Sequence, residues 1–163
     1  MGLKREDIIE LLNKENIDFT MIEHPAIYTM EGLYQLDIDD ELKDVVVKNL
    51  FLRDNKKSHY YLIVVSQNKR VNLKQLQALI NSKRLSFASA EDLASYLKLS
   101  PGAVTPLGLL NDQDKRVELY IDDAIGETIG VHPNDNRALL FMKTTDLLRL
   151  LESRGHLINK VIL

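Results

Sequence analysis

The sequence predicts a mixed α/β (α+β) fold, in which a largely antiparallel, curled sheet of about seven strands is covered by helices. Short apolar segments rich in β-branched residues are interleaved with amphipathic segments at helical spacing. They do not alternate one to one, which argues against a doubly wound parallel sheet. The 163 residues, 45% of them hydrophobic, suffice for one well-packed core but not for two, so a single domain spanning 1–163 is expected.

The predicted strands are short, apolar and bounded by polar or turn-forming residues. In chain order they are 18–23, about 45–53, 60–66, a short strand within 83–88, 117–121, 128–131 and 138–142. The polar segment 54–59 is expected to join the second and third strands as a hairpin. The tail 157–163 is a candidate for one further strand.

Five segments are predicted to be helices, at 4–16, 28–36, 72–81, 90–97 and 146–153. The first carries an apolar stripe at helical spacing. Asn72, Ser89 and Thr145 precede the last three and are expected to be their N-caps, because their side-chain oxygens can accept hydrogen bonds from free backbone N–H groups. Gly155 is expected to end the last helix at its C′ position.

Composition and charge restrict the possible functions. The absence of cysteine excludes a disulfide scaffold, a thiolate nucleophile and cysteine-ligated metal sites, and it fits a cytoplasmic protein. No secretory signal and no apolar stretch of bilayer length is visible, so no membrane association is expected. The net charge of −3 argues against a protein that binds duplex nucleic acid through its phosphates. It does not argue against one that recognises a nucleotide end in a pocket.

The strand at 45–53 carries a lysine, Lys48, on the same predicted face as Val46, Leu50 and Leu52. An ammonium among apolar side chains is costly unless it reaches water, a carboxylate or a ligand. Lys48 is therefore either a strand-end lysine that extends to solvent, which is the commoner case, or a lysine that points into a cleft.

Three other features are chemical candidates. The loop 99–108 holds two prolines and two glycines, and its part from Gly102 to Pro106 could present free N–H groups to a carbonyl, although an ordinary turn is the simpler interpretation. His132, before Pro133, is a base, a hydrogen-bond donor or a packed turn residue. Asp122 and its neighbour Asp123 could serve as an acid/base pair, but a helix N-cap is favoured. The four histidines lack the companion carboxylates of a metal site, so no metal is expected.

Three segments, in this order and in a chain of this length, resemble the YbaK-like superfamily. They are VKNLFL at 47–52, SPGAVTPLG at 100–108 and VHPNDN at 131–136. This superfamily includes the editing domain inserted in bacterial prolyl-tRNA synthetases, and the chain is most similar to its free-standing alanyl-tRNA(Pro) deacylases, the ProX or PrdX type. The resemblance extends from His24 to His156 and implies the fold of that editing domain.

The resemblance implies a trans-editing hydrolase that removes alanine from mischarged tRNA(Pro) by attack of water, without a cofactor. A synthetase pocket built for proline cannot strongly reject a smaller side chain, so a second, smaller site hydrolyses the wrong ester. The implied catalytic residues are Lys48, which would hold the 3′ end of the tRNA, Gly102 of the Gly-x-x-x-Pro loop, and His132. The implied substrate-binding residues are Val46, Asn49, Leu50, Ala103, Val104, Thr105, Pro106, Ile129 and Asn134.

Two alternatives stay open at this stage. The protein could instead remove cysteine from tRNA(Pro), as YbaK itself does, and pocket size would decide between the two. It could also be a non-catalytic module that binds tRNA ends or a synthetase, although the intact lysine, loop and histidine argue against this. The expected partners are the acceptor end of tRNA(Pro) and, as a candidate, prolyl-tRNA synthetase. The oligomeric state is left open.

Overall fold

Two β-sheets, joined at one point, form the centre of the protein. The computed structural model describes residues 2–163, apart from the side chain of Met30. The strands are β1 (Phe19–Glu23), β2 (Lys48–Asp54), β3 (Tyr60–Val65), β4 (Leu85–Phe87), β5 (Val117–Asp122), β6 (Thr128–Val131), β7 (Ala138–Lys143) and β8 (Ile158–Val161).

The larger sheet has the strand order β4-β2-β3-β5-β8 and the smaller one the order β1-β7-β6. The pairs β2–β4, β2–β3, β1–β7 and β6–β7 are antiparallel, whereas β3–β5 and β5–β8 are parallel. The predicted mixed and largely antiparallel α/β fold is therefore confirmed, with eight strands in two joined sheets. The predicted hairpin between β2 and β3 and the candidate strand in the tail are also confirmed.

The helices pack on both sheets and close the core. They are α1 (Arg5–Lys14), α2 (Met30–Tyr34), α3 (Asp40–Asp44), α4 (Leu73–Ile80), α5 (Ala90–Leu97), α6 (Thr144–Ser153) and a 3₁₀ helix, Pro106–Asn111. Asn72 and Ser89 are the N-caps of α4 and α5, as predicted. The predicted cap Thr145 is wrong by two residues, because α6 begins at Thr144 with Lys143 as its N-cap. Within residues 2–163, no helix is long and apolar enough to cross a bilayer.

The side chains of β3 and β7 alternate between different apolar clusters, as expected for strands buried on both faces. One face of each strand contributes to the main core, which α1, α5 and α6 close. The other face of β3 packs against α4 through Leu76. The other face of β7 packs against α2 through Leu33 and also contacts Val46, which lies just before β2. The segment leading into β2 is thereby held next to the smaller sheet.

The two sheets meet at Val46 and Gly130, which form an isolated parallel bridge. The N–H of Val47 donates to the carbonyl of Gly130 at 3.1 Å, and the N–H of Gly130 donates to the carbonyl of Val45 at 2.9 Å. Strand β2 consequently begins at Lys48 and not at Val45 as predicted, because residues 45–47 pair with β6 of the other sheet. A Cβ atom at position 130 would lie 2.8 Å from the Phe141 ring, so this approach requires glycine.

Gly130→Ala is expected to lower the free energy of unfolding by about 1–3 kcal/mol, because the added methyl group overpacks the contact with Phe141 and Val46. Urea denaturation monitored by circular dichroism measures this change. Gly126→Ala is the matched control, because a Cβ at position 126 meets nothing within 4 Å. Equal stability of the two variants would show that the sheet junction tolerates a side chain.

Candidate functional site

A cleft of about 310 Å³ opens beside the point where the two sheets join. Its walls come from four separate segments of the chain. The lining residues are 27–29, Leu33, 46–50, Gly102, Val104 and His132. The structure thus brings seven predicted site residues together at one opening, and these are Val46, Lys48, Asn49, Leu50, Gly102, Val104 and His132.

Lys48 begins β2 and pairs with Val65 of β3. Its side chain is half-buried and lines the cleft, and its ammonium donates a hydrogen bond to the backbone carbonyl of Lys69. Neither of the two interpretations from the sequence describes it fully, because the stem faces the cleft while the ammonium is held by a backbone group. Among the described residues that line the cleft, Lys48 is the only one with a formal charge.

The turn that accepts the Lys48 hydrogen bond is held in place by Asp122. This carboxylate is buried and accepts hydrogen bonds from the Ser66 N–H at 3.4 Å, the Lys69 ammonium at 3.0 Å and the Ala124 N–H at 3.1 Å. Burial alone would raise the pKa of Asp122, but these hydrogen bonds outweigh it and hold the pKa below the usual range. The carboxylate lies at the end of β5 outside the cleft, so it supports structure there. The predicted helix N-cap is wrong, because a turn at 123–124 and not a helix follows Asp122.

Residues from both faces of the segment around β2 line the cleft, although the side chain of Val47 packs into the main core. Val47 and Asn49 line the cleft from the opposite face, whereas Leu52 is fully buried away from it. The side-chain oxygen of Asn49 is buried and accepts no hydrogen bond from the residues that the structure describes. Buried polar atoms without partners are rare, which marks Asn49 as a group that a ligand could complete.

The loop at 102–106 reaches the cleft through Gly102 and Val104. Gly102 has a φ angle of +90°, and a Cβ there would lie 2.9 Å from the Tyr28 ring and 3.0 Å from the Asn136 amide. Only glycine fits this backbone conformation and this contact without strain. Within the described chain, the N–H groups of Gly102 and Val104 have no acceptor, whereas that of Ala103 donates to the Ser100 carbonyl at 3.1 Å.

The rest of the loop fixes its shape from inside the protein. Ala103, Thr105 and Pro106 are buried and do not line the cleft. The Thr105 hydroxyl accepts a hydrogen bond from the Leu107 N–H at 3.3 Å, and Pro106 begins the 3₁₀ helix. These residues therefore anchor the loop, while Gly102 and Val104 line the cleft with N–H groups that have no acceptor among the described residues.

His132 follows β6 directly and lines the cleft. Its Nδ1 lies 3.3 Å from the Ala138 carbonyl, which can only accept a hydrogen bond, so Nδ1 carries the proton and Nε2 is free to accept. Burial lowers the pKa of His132, which favours the neutral ring. Two other predicted residues lie elsewhere: Ile129 is fully buried in the main core, and Asn134 donates to the Leu3 carbonyl at 3.0 Å.

One wall of the cleft was not assigned from the sequence. It is formed by residues 27–29 and by Leu33 of α2, which is 2% exposed. The Asn136 amide donates to the Ile27 carbonyl at 3.2 Å and ties this wall to the turn after His132. The only available signal was Leu33 as an apolar residue in a predicted helix, because nothing local shows that the helix packs against β7 and Val46.

The cleft therefore offers one cation, one neutral imidazole acceptor, one unpaired buried amide and two free backbone N–H groups around an apolar floor. Such a set can hold a small apolar group and polarise a carbonyl oxygen. In residues 2–163 no group of three or more His, Asp or Glu side chains is placed to hold a metal ion.

Comparison with known proteins agrees with this chemistry. The family described as aminoacyl-tRNA editing domain matches residues 24–150. The prolyl-tRNA editing protein ProX of Acetoanaerobium sticklandii is 41% identical over 154 residues, which cover 93% of each chain. Prolyl-tRNA synthetase associated domain-containing protein 1 of Mus musculus is 32% identical over 158 residues, which cover 93% of this chain and 92% of the mouse protein.

A solved structure described as that of a candidate trans-editing enzyme for prolyl tRNA synthetase shares the fold. Its TM-score is 0.71 at 20% identity, and the match covers 100% of this chain and 99% of the other. The resemblance found in the lysine strand, the glycine loop and the histidine turn is confirmed, and the chain belongs to the aminoacyl-tRNA editing domain family.

Proposed function

We propose that this protein is a trans-editing aminoacyl-tRNA deacylase that hydrolyses the ester of mischarged tRNA(Pro), with Ala-tRNA(Pro) as its main substrate. The observation that carries the proposal is that Lys48, Gly102 and His132 line one small cleft. The 41% identity to a prolyl-tRNA editing protein over most of both chains supports the same activity.

The reaction needs positioning and electrostatics more than a strong nucleophile, because an aminoacyl ester is already activated. Water adds to the carbonyl carbon, the bond to the ribose oxygen breaks, and alanine and tRNA with a free hydroxyl are released. The free N–H groups of Gly102 and Val104 are suited to stabilise the developing oxyanion. Lys48 supplies the positive charge that holds the nucleotide end, and the 2′-hydroxyl of the tRNA can orient the water.

The α-ammonium group of the alanyl ester also needs partners, since a buried cation without hydrogen bonds is unfavourable. The described lining of the cleft includes no carboxylate. Neutral acceptors are present instead, because the Asn49 side-chain oxygen has no partner and Nε2 of the neutral His132 is free. We assign these two atoms to the α-ammonium group.

An apolar wall favours alanine among the small amino acids. Leu33 and Val46 are both buried and face the cleft, so they can cover the alanyl methyl group. Burying one methyl group contributes about 0.8 kcal/mol, which is a modest preference. Rejection of proline must therefore come from the size of the site, as in other two-sieve systems.

We further propose that the acceptor end of tRNA(Pro) is the binding partner and that prolyl-tRNA synthetase is a candidate for association. We also propose a cytoplasmic location, because aminoacylated tRNA is made and used in the cytoplasm. One domain spanning 1–163 accounts for the two sheets, because β1 and β8 lie outside the matched family segment and yet pair with β7 and β5.

Incubation with Ala-, Cys-, Ser- and Pro-tRNA(Pro) tests the substrate directly. Release of alanine is expected to be fastest, with little release of proline, because the apolar cleft accepts a methyl group and the larger ring meets the Leu33 wall. The measurement follows each radiolabelled amino acid over time. Faster release of cysteine would assign the YbaK-type activity, and no release from any tRNA would favour a binding module.

Lys48→Ala is expected to reduce kcat/KM for Ala-tRNA(Pro) by about 100-fold or more, because the cleft loses the one charge that its described lining carries. Lys48→Arg, which keeps the charge, should retain part of the activity. Lys56→Ala is the control, since Lys56 is an exposed lysine in the β2–β3 turn. Turnover by Lys48→Ala close to that of the wild type would remove Lys48 from the mechanism.

The depressed pKa of His132 predicts a pH dependence of stability. Burial disfavours the charged His132 ring, so its pKa in the folded state lies below the unfolded value of about 6.5. As the pH falls below about 6.5, the unfolded state therefore binds a proton at His132 before the folded state does. The stability linked to His132 is therefore complete above that pH and is lost as the pH falls through the lower folded pKa. His132→Gln should accordingly lose less stability than the wild type between about pH 7.5 and pH 5.

Urea denaturation of both proteins across this range measures the difference. Burial also lowers the pKa of His156, but His156 is present in both proteins, so its contribution cancels. Parallel pH profiles of the wild type and His132→Gln would show that His132 is not held neutral by the fold.

A further inference from the structure

Tyr28 is an aromatic side chain at the mouth of the cleft that the mechanism above does not use. Its side chain lines the cleft and yet Tyr28 is 74% exposed. The hydroxyls of Tyr34 and Tyr60 donate to Gln67 and Asp92, whereas that of Tyr28 makes no hydrogen bond with the residues that the structure describes. The ring is therefore held by contacts of its carbon atoms, and much of its surface is open to whatever occupies the cleft.

Exposed aromatic residues are common on protein surfaces, so exposure alone decides nothing. The position of Tyr28 is more specific, because the ring lies against the backbone of Gly102. A Cβ at position 102 would come within 2.9 Å of Cδ1 and 3.0 Å of Cε1 of this ring. The same glycine lines the cleft and its N–H has no acceptor among the described residues, so the loop that would bind the ester carbonyl also supports the ring.

The proposed substrate supplies a matching group. The ester is attached to the ribose of the terminal adenosine, and this nucleotide is unpaired at the end of the tRNA. Proteins hold unpaired bases by stacking them on exposed aromatic rings, which are sequence-tolerant and need no hydrogen bond. When the ester lies against Gly102, the base of the same nucleotide is the one within reach of the adjoining Tyr28 ring.

We infer that Tyr28 is the stacking platform for the terminal adenine of the aminoacylated tRNA. This inference rests on the proposed function and identifies the residue that holds the nucleotide base, whereas Lys48 and Gly102 act near the phosphate and the ester. The ring positions the substrate and takes no part in the chemical step. Its loss should therefore raise KM and leave kcat largely unchanged.

The first test compares deacylation of Ala-tRNA(Pro) by variants at position 28. Tyr28→Ala is expected to lower kcat/KM by about 5- to 150-fold, the range found for a lost base–aromatic stack, with the change mainly in KM. Tyr28→Phe should behave like the wild type, because the hydroxyl has no partner. Tyr28→Leu should resemble Tyr28→Ala, because leucine is apolar but has no ring face.

Phe87→Ala is the matched control, since Phe87 is 62% exposed but lies on the edge strand β4 away from the cleft. It should leave both kcat and KM unchanged. Wild-type KM values for Tyr28→Ala would overturn the inference. Full activity of Tyr28→Leu together with a defect in Tyr28→Ala would also overturn it, because packing and not stacking would then explain the role.

The second test does not depend on hydrolysis. Binding of uncharged tRNA(Pro) is measured for the wild type and Tyr28→Ala, with the 3′ end either intact or lacking the terminal adenosine. Removing the adenosine should weaken binding to the wild type by about 5- to 150-fold and leave binding to Tyr28→Ala nearly unchanged. Equal losses in both proteins would overturn the inference. If removal of the adenosine weakens binding only when Tyr28 is present, but no tRNA is deacylated, the stacking role is retained and only the proposed activity is overturned.

Discussion

The contact between the two sheets at Val46 and Gly130 is the constraint on which the cleft depends. Backbone hydrogen bonds on both sides of Gly130 hold the segment before β2 against β6. Because β2 begins at Lys48 and β6 continues directly into His132, this single contact brings both side chains to the same opening. The two halves of the cleft come from different sheets, and both therefore depend on the contact between Val46 and Gly130.

The charge at the cleft depends on a second set of contacts. The buried carboxylate of Asp122 binds the turn that contains Lys69, and the carbonyl of this turn accepts the hydrogen bond from Lys48. A carbonyl carries no net charge, so it orients the ammonium without neutralising it. The positive charge consequently remains available to a ligand, which an ion pair with a carboxylate would have prevented.

Most elements of the fold were predictable because their signals are local. The apolar run at 60–65 and the N-cap at Ser89 are properties of a few adjacent residues, and the structure reproduces both. The pairing of residues 45–47 with β6 was not predictable, since it joins distant segments through the backbone alone. Lys48, Gly102 and His132 were found through a family resemblance. Tyr28 gave no signal, because its importance arises only from its contact with Gly102.

The buried side-chain oxygen of Asn49 has no hydrogen-bond partner among the described residues, and this bears on which ligands the cleft can select. Leaving a buried polar atom without a hydrogen bond costs about 1–3 kcal/mol, a large share of the stability of a small domain. An apolar residue at this position would avoid that penalty. A ligand with a hydrogen-bond donor at that point would recover this cost, so the Asn49 oxygen favours such a ligand over one without a donor.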